Sequence, residues 1–361
     1  MLQNRCARVW FMVCLGALLL VVSILGIAIG ASNIPLSTVV SGTWQAISET
    51  WQAISGANLS QTATGVLDAS GTQDVDLQII SEIRLPRVVL GLLVGAGLAM
   101  CGLITQSLLR NPLGDPYILG ISSGASTGAA LVIVLGSSHA LLSTIGVTAG
   151  AFIGALTAII CVGLLANVGG RVTPARIVFA GMAVSYMFSA LTSLITILAK
   201  NAAGTKSVLF WTLGSLSAAS WSDVLMAACA TCLAFALFFL LGRRVDVLNL
   251  GDDAARSLGT NPKTYRNVLI VIVAFTVATL VSLSGSIGFI GLVVPHLAKV
   301  FVGSTMRAAL PVAFVLGGIL VVAADICARV IVRPAELPIG ILTALVGTPM
   351  LMILIKKHAQ K

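Results

Sequence analysis

The sequence predicts an all-α membrane protein with ten transmembrane helices. Of its 361 residues, 58% are hydrophobic and only 9% are charged, so a soluble domain would lack a solvated surface. Apolar runs long enough to cross about 30 Å of hydrocarbon recur along the whole chain. Short clusters of Arg, Lys, Asp, Pro and Asn separate these runs, which leaves no room for a soluble domain of ordinary size.

Residues 1–361 are therefore predicted to form a single transmembrane domain. The first apolar run is too long for the core of a secretory signal peptide and lacks a convincing cleavage site, so it is predicted to remain as a membrane helix. The ten predicted spans are residues 9–31, 86–108, 118–136, 141–166, 177–199, 221–241, 267–284, 287–303, 309–328 and 338–355.

The distribution of positive charge predicts the orientation. An even number of spans places both termini on the same side, and with cytoplasmic termini 15 of the 21 lysines and arginines lie inside. The net charge of +9 is then explained by cytoplasmic loops next to anionic lipid, with no nucleic-acid partner. The six residues left outside are Arg84, Arg87, Lys200, Lys206, Arg329 and Arg333.

Residues 32–82 are predicted to form an extended outer loop. The unit Thr-Trp-Gln-Ala-Ile-Ser begins at Thr43 and again at Thr50, seven residues later. This period suits an amphipathic surface helix with Trp44 and Trp51 at the membrane interface, although we prefer a neutral tandem duplication without a function. The rest of the loop is expected to be a flexible linker.

Small residues mark one face of the second span. Gly91, Gly95 and Gly102 lie along this face. Because small residues let helix backbones approach closely in lipid, the pattern predicts tight packing inside the bundle and no ligand site.

The segment between the sixth and seventh spans, residues 248–260, is predicted to be a short cytoplasmic surface helix. Gly251 would begin it, and the two aspartates that follow place negative charge at the positive end of the helix dipole. Arg256 lies one turn further on, and Gly259 suits a left-handed cap that ends the helix. An apolar edge then remains without a partner; it consists of Leu250, Ala254, Ala255 and Leu258.

Residues suited to catalysis or metal binding are scattered. The three histidines, His139, His296 and His358, fall in different loops or helix ends, and no G-x-x-x-x-G-K-[ST] phosphate loop occurs. His296 and Asp325 are the ionisable candidates within the spans, and both lie near a predicted interface, which favours structural roles. The sequence therefore predicts neither a catalytic site nor a metal site, and nucleotide chemistry is expected on another polypeptide.

Several motifs along the chain are more distinctive together than singly. In order they are Arg84-Leu-Pro-Arg87, Asn111-Pro-Leu-Gly-Asp-Pro116, Leu119-Gly-Ile-Ser-Ser-Gly-Ala125, Leu248-Asn-Leu-Gly-Asp-Asp-Ala-Ala-Arg-Ser-Leu-Gly259, Gly288-Phe-Ile-Gly-Leu-Val-Val-Pro-His296, Ala324-Asp-Ile-Cys-Ala-Arg329 and Glu336-Leu-Pro-Ile-Gly-Ile-Leu-Thr-Ala-Leu-Val-Gly-Thr-Pro349. This series resembles the permease subunits of type II ABC importers, which carry iron-siderophore complexes, haem and cobalamin. The resemblance covers residues 82–356.

The resemblance implies roles for three groups of residues. The short cytoplasmic helix would insert into the ATPase subunit through Leu250, Gly251, Asp252, Asp253, Ala255, Arg256, Leu258 and Gly259. Two proline-containing loops would form the cytoplasmic gate through Asn111, Leu113, Thr173, Pro174 and Ala175. Related permeases often carry small hydroxyl residues where this sequence has Pro174-Ala175. Arg84, Arg87 and Arg329 would receive acidic residues of a substrate-binding protein.

The resemblance also implies an assembly in the bacterial cytoplasmic membrane. A second permease copy or a close paralogue would complete the pore, two ATPase subunits would bind ATP and Mg, and one extracytoplasmic binding protein would deliver the cargo. This chain would bind no cofactor and no metal and hydrolyse nothing. The expected cargo is an iron(III)-siderophore chelate, with haem and then a corrinoid as alternatives.

Two other classes stay open at this point. A proton-coupled secondary transporter would work without ATP, and an integral membrane enzyme would need a catalytic cluster. Neither explains the short helix at residues 248–260, which is why we favour the importer.

Overall fold

The computed structural model describes residues 5–30, 42, 72–136, 140–168, 173–199 and 201–359, and over these ranges the chain forms helices and turns without a β-strand. A π-helical turn, Ile79–Arg84, precedes the third α-helix, and a 3-10 turn, Pro116–Leu119, precedes the fourth. The α-helices are α1 (Arg5–Ala28), α2 (Thr72–Gln78), α3 (Leu85–Leu109), α4 (Ile121–Leu135), α5 (Ala140–Ala166), α6 (Pro174–Ile197), α7 (Ala202–Leu213), α8 (Trp221–Asn249), α9 (Asp252–Ser257), α10 (Pro262–Ser284), α11 (Ile290–Val302), α12 (Met306–Val330) and α13 (Ile339–Ala359).

Each predicted span coincides with one of these helices. Among the described residues, seven helical stretches are long and apolar enough to cross a membrane; they lie in α1, α3, α5, α6, α8, α10 and α12. The apolar parts of α4, α11 and α13 are shorter, at Ile121–Leu135, Ile290–Val302 and Ile339–Ile353. A helix of about 15 residues rises only about 22 Å, so by length alone these three fall short of the hydrocarbon thickness.

The structure differs from the sequence expectations in three places. Residues 72–84, expected to lie in or just after the outer loop, are helical and continue into α3. Residues 202–213 form α7, which was not predicted. The helix expected at 248–260 is confined to Asp252–Ser257, because Leu248 still belongs to α8. The repeated Trp44 and Trp51 units lie outside the described residues.

Helix α3 forms the centre of the bundle. Nearly all of its residues are buried, and it packs against α8, α10, α11 and α12. A methyl group added at Gly95 would lie 2.1 Å from the carbonyl oxygen of Gly317 on α12. One added at Gly102 would lie 1.9 Å from the carbonyl oxygen of Gly291 on α11. The backbones touch because no side chain intervenes, which confirms the predicted packing role of these glycines.

Replacing Gly95 with alanine is expected to destabilise the fold by about 1–3 kcal/mol, because α3 and α12 must then separate. Equilibrium unfolding in mixed micelles of increasing SDS content would measure the loss. The matched control is Gly163→Ala on α5, where an added methyl group meets nothing within 4 Å. If the two variants unfold alike, the contact between α3 and α12 does not limit stability.

The first turns of α4, α11 and α13 meet at one junction inside the bundle. The hydroxyl group of Tyr117 donates to the carbonyl oxygen of Ile287 at 3.1 Å and accepts from its N–H at 3.2 Å. The hydroxyl oxygens of Ser122 and Ser286 lie 2.6 Å apart, and a methyl group at Gly340 would lie 3.1 Å from the Ser286 carbonyl oxygen. The contacts of Tyr117 satisfy backbone groups of Ile287 just before α11 begins. The N–H of Ile339 at the start of α13 donates separately to the carbonyl oxygen of Gly214 at 3.0 Å.

Candidate functional sites at the two ends of the bundle

One end of the bundle, which we call the arginine end, holds Arg84, Arg87 and Arg329. Arg84 donates through Nη1 to the carbonyl oxygens of Ile27 at 2.7 Å and Ala28 at 2.8 Å. Arg329 donates through Nη1 to the carbonyl oxygen of Ile29 at 2.7 Å. These carbonyls close α1 and lack partners within the helix, and they carry the negative end of its dipole. Two arginines therefore cap the C-terminus of α1.

Arg87 is held by two carboxylates from the other end of the chain. Its Nε and Nη2 atoms donate to Asp325 Oδ1 at 3.0 and 2.8 Å. Its Nη1 and Nη2 atoms donate to the two oxygens of Glu336 at 3.0 and 2.9 Å. Arg329 also pairs with Asp325, with 3.0 Å between Nη2 and Oδ2. The charges of α3 and α12 are thus largely neutralised within the chain.

The three arginines predicted to receive a partner's carboxylates are buried in this chain. Arg84, Arg87 and Arg329 are 5%, 6% and 4% exposed. Asp325 is buried between Arg87 and Arg329, which supports the structural role predicted for it. Arg333, which was left outside the predicted site, lies in the exposed segment 331–336 between α12 and α13. Sequence reasoning missed Glu336 as a member of this cluster, although the residue was part of a quoted motif.

At the opposite end of the bundle, which we call the aspartate end, the short helix α9 projects between α8 and α10. Gly251 precedes it with a φ of 115°, and Gly259 follows it with a φ of 72°. The left-handed stop predicted at Gly259 is confirmed. Leu250 and Leu258 flank the helix and are 66% and 57% exposed, whereas Ala255 is buried. Two large apolar side chains therefore stand uncovered beside a helix of six residues.

Asp252 ties α9 to the rest of the bundle. Its carboxylate accepts two hydrogen bonds from Arg266 on α10, at 3.0 and 2.6 Å, and a further one from Nη2 of Arg110. Arg110 ends α3 and also donates through Nε to the carbonyl oxygen of Leu248 at 3.2 Å. Three elements, α3, α9 and α10, therefore meet at one carboxylate.

The same contacts lower the pKa of Asp252 to about 2, with the hydrogen bonds from Arg266 as the largest cause. A carboxyl group whose pKa is lowered by folding stabilises the fold above its ordinary pKa of 3.8 and loses that effect as the pH falls toward 2. Asp252 is therefore ionised at every pH at which a cell works. The neighbouring Asp253 is fully exposed and pairs with Arg256 at 3.2 Å.

The two loops predicted as a gate also lie at the aspartate end. Asn111 forms a tight turn, in which its side-chain oxygen accepts from the N–H of Leu113 at 2.9 Å. Asn111 is exposed and Leu113 is half-buried. Thr173 caps α6 by accepting from the N–H of Arg176, and Pro174 is the first residue of that helix. Residues 169–172 lie outside the described part of the chain, so the second loop is seen only from Thr173 onwards.

Among the described residues, no group of three or more His, Cys, Asp and Glu side chains is placed to hold a metal ion. The charged clusters of the described residues are ion pairs, some between helices and some within one helix. With its apolar helices and buried charge pairs, the fold is that of a multi-pass membrane protein.

Comparison with known proteins places this chain in a family of permeases. Residues 18–357 match the FecCD transport family, and the chain belongs to that family. It is 36% identical over 286 residues to the cobalamin import system permease protein BtuC of Halobacterium salinarum, covering 79% of this chain and 75% of that protein. It is 38% identical over 281 residues to the Fe(3+)-citrate import system permease protein YfmD of Bacillus subtilis, covering 77% and 81%.

A solved structure shares the whole fold. It is described as a metal-chelate type ABC transporter in an inward-facing conformation, and it superposes with a TM-score of 0.78 at 29% identity. The match covers 96% of this chain and 99% of that chain. The similarity therefore includes the helices at both ends of the bundle.

Proposed function

We propose that this chain is the membrane permease of an ATP-driven importer that takes up an iron(III)-siderophore-type chelate across the bacterial cytoplasmic membrane. Two separate ATPase subunits bind ATP and Mg, and an extracytoplasmic binding protein delivers the cargo. The chain binds no cofactor of its own. Its contribution is to change which side of the membrane the pore opens to.

The observation that carries this proposal is the uncovered helix α9 at the aspartate end. Leu250 and Leu258 expose large apolar surfaces where the chain leaves the membrane, and exposed apolar surface of this kind is typical of a protein interface. Asp252 binds Arg110 at the end of α3 and Arg266 on α10. A movement of α9 caused by a bound ATPase subunit would therefore also move α3 and α10. With an ATPase subunit bound at this helix, the aspartate end and both termini would face the cytoplasm.

The gate is proposed to lie at the same end. Arg110 joins Asp252 directly to the loop that carries Asn111 and Leu113, so movement of α9 would move that loop. The second half of the gate would be Thr173, Pro174 and Ala175 at the start of α6. The turn at Asn111 and the cap at Thr173 give both segments a defined shape, which supports a gating role.

A second copy of the chain is proposed to complete the pore. Helix α6 exposes Phe179, Tyr186 and Ile197, and α13 exposes Leu345 and Val346. Lipid would cover part of this apolar surface, and the partner copy would cover the rest. The exposed faces of α6 and α13 are apolar, so they are suited to contact with lipid or a second copy and not to lining a polar pore within one chain.

At the arginine end, the proposed partner is the binding protein. Guanidinium groups bind carboxylates through two hydrogen bonds, which suits this end to an acidic partner. Because Arg84, Arg87 and Arg329 are already engaged within the chain, docking has to begin at exposed groups such as Arg333. An electrostatic contribution from such exposed charges would weaken as salt increases.

The nature of the cargo rests on the similar proteins. Their names include an iron(III) chelate and a corrinoid, and the solved structure is described as a metal-chelate transporter. No metal-binding cluster lies among the described side chains, so a chelate would cross as a whole without exchange of its metal. We favour an iron(III)-siderophore complex, with haem or cobalamin as the alternatives.

The test reconstitutes the transporter in proteoliposomes with its ATPase subunits and its binding protein. We expect uptake of a labelled ferric siderophore only when ATP is present on the side of the membrane where the ATPase subunits lie. Uptake should persist when a protonophore removes the proton gradient. Haem and cobalamin serve as competing cargoes. Uptake that needs no ATP and stops with the protonophore would show a proton-coupled secondary transporter instead.

A further inference from the structure

Glu336 and Asp325 both bind Arg87, but they are placed very differently. The Asp325 side chain is 1% exposed, and it also pairs with Arg329. The Glu336 side chain is 37% exposed and lies at the end of the exposed segment 331–336. Displacing Asp325 would remove a carboxylate from the buried Arg87 and Arg329. The Glu336 side chain, by contrast, can rotate toward solvent. Of the two carboxylates on Arg87, only Glu336 is easily exchanged.

The backbone next to Glu336 is anchored, whereas its side chain is held, among the described residues, only by the hydrogen bonds from Arg87 and is partly exposed. The N–H of Leu337 donates to the carbonyl oxygen of Ala328 at 3.1 Å, which anchors the segment to the end of α12. Glu336 itself lies outside any helix. A change of its side-chain rotamer therefore needs no movement of α12 or α13.

Arg87 differs from the other two arginines in what occupies it. Arg84 and Arg329 are directed to the carbonyl groups that close α1, which belong to a membrane helix and cannot leave. Arg87 presents its Nη1 and Nη2 edge to Glu336, and its guanidinium is otherwise covered. A carboxylate that arrives from outside can reach this edge only at the position that Glu336 holds.

From this geometry we propose that Glu336 is an internal substitute for a carboxylate of the docking protein, and that docking exchanges one carboxylate for the other on Arg87. The proposal rests on the proposed function, in which a binding protein docks at the arginine end. Until the partner arrives, Glu336 keeps Arg87 neutralised and oriented. After docking, the incoming carboxylate makes the same two hydrogen bonds, and Glu336 is released to solvent.

The exchange predicts that Glu336 competes with the partner. Glu336→Gln should tighten docking of the binding protein to the complete transporter in lipid nanodiscs by about two- to fivefold, the range expected for removing a partly exposed ion pair. The matched control is Glu82→Gln. Glu82 is an exposed acid in the π-helical turn at the same end, so its replacement changes the net charge equally without releasing Arg87.

The dissociation constant of the complex between the binding protein and the transporter, measured at low salt, tests the exchange of carboxylates. Tighter docking of Glu336→Gln than of Glu82→Gln supports the exchange, and an additional Arg87→Gln substitution should abolish that difference. Equal docking of the two variants, or weaker docking of Glu336→Gln, would overturn the exchange and leave the proposed function intact. A wild-type transporter that does not dock its binding protein at all would overturn both.

Discussion

Replacing Asp252 with asparagine is expected to uncouple ATP hydrolysis from transport. The variant loses the charge of the carboxylate that joins α9 to Arg110 and Arg266, while its shape is kept. Hydrogen bonds to charged groups contribute about 1.5–3 kcal/mol each. Weakening the contacts of Asp252 with Arg110 and Arg266 should therefore lower the number of cargo molecules moved per ATP by about tenfold or more. ATPase activity should persist, because the exposed leucines that we propose contact the ATPase subunit are unchanged.

The adjacent Asp253 provides the control for this experiment. Asp253→Asn removes the same charge from the same helix, but Asp253 is fully exposed and its ion pair with Arg256 stays within α9. Because Asp253 is predicted to face the ATPase subunit, its loss should change ATP hydrolysis and transport only together, so the number of cargo molecules moved per ATP should stay near the wild-type level. Cargo uptake and phosphate release measured in the same proteoliposomes give the ratio directly. If both variants transport normally, the connection through Asp252 does not transmit movement.

Replacing Asp325 with asparagine is expected to have the largest effect on stability. The substitution leaves Arg87 and Arg329 buried close to each other, with Glu336 as the remaining carboxylate beside them. Breaking a buried ion pair by removal of one partner costs about 3–5 kcal/mol. Unfolding in SDS-containing mixed micelles, together with the yield of monodisperse protein, would report this loss.

Glu82→Gln is again the suitable comparison for Asp325→Asn, since it removes a negative charge from the same end at an exposed site. A loss below about 1 kcal/mol for Asp325→Asn, as measured for exposed ion pairs, would contradict the view that this cluster joins α1, α3 and α12. The same cluster explains why arginines lie at an end where the distribution of positive charge did not favour them. They cap α1 and neutralise buried acids.

The sequence by itself determined most of the fold. Apolar runs predicted the seven described helices that are long enough to cross a membrane and the positions of three shorter apolar helices, because burying a helix in lipid depends mainly on local composition. The short helix after α8 was also predicted in the right place, since Gly251 and Gly259 have local conformational effects that do not depend on distant contacts. The motifs along residues 82–356 were enough to indicate the family.

Contacts between residues far apart in the chain were decided only by the tertiary structure. Arg87 and Glu336 are separated by 249 positions, and neither residue type reveals its partner. Helix α7 was missed because its charged Lys206 and short length resemble a loop. The segment just before α11 is held by contacts of Ile287 with Tyr117, which lies 170 positions earlier in the chain. A local pattern predicts a helix, but which charges meet inside the bundle depends on how the helices pack.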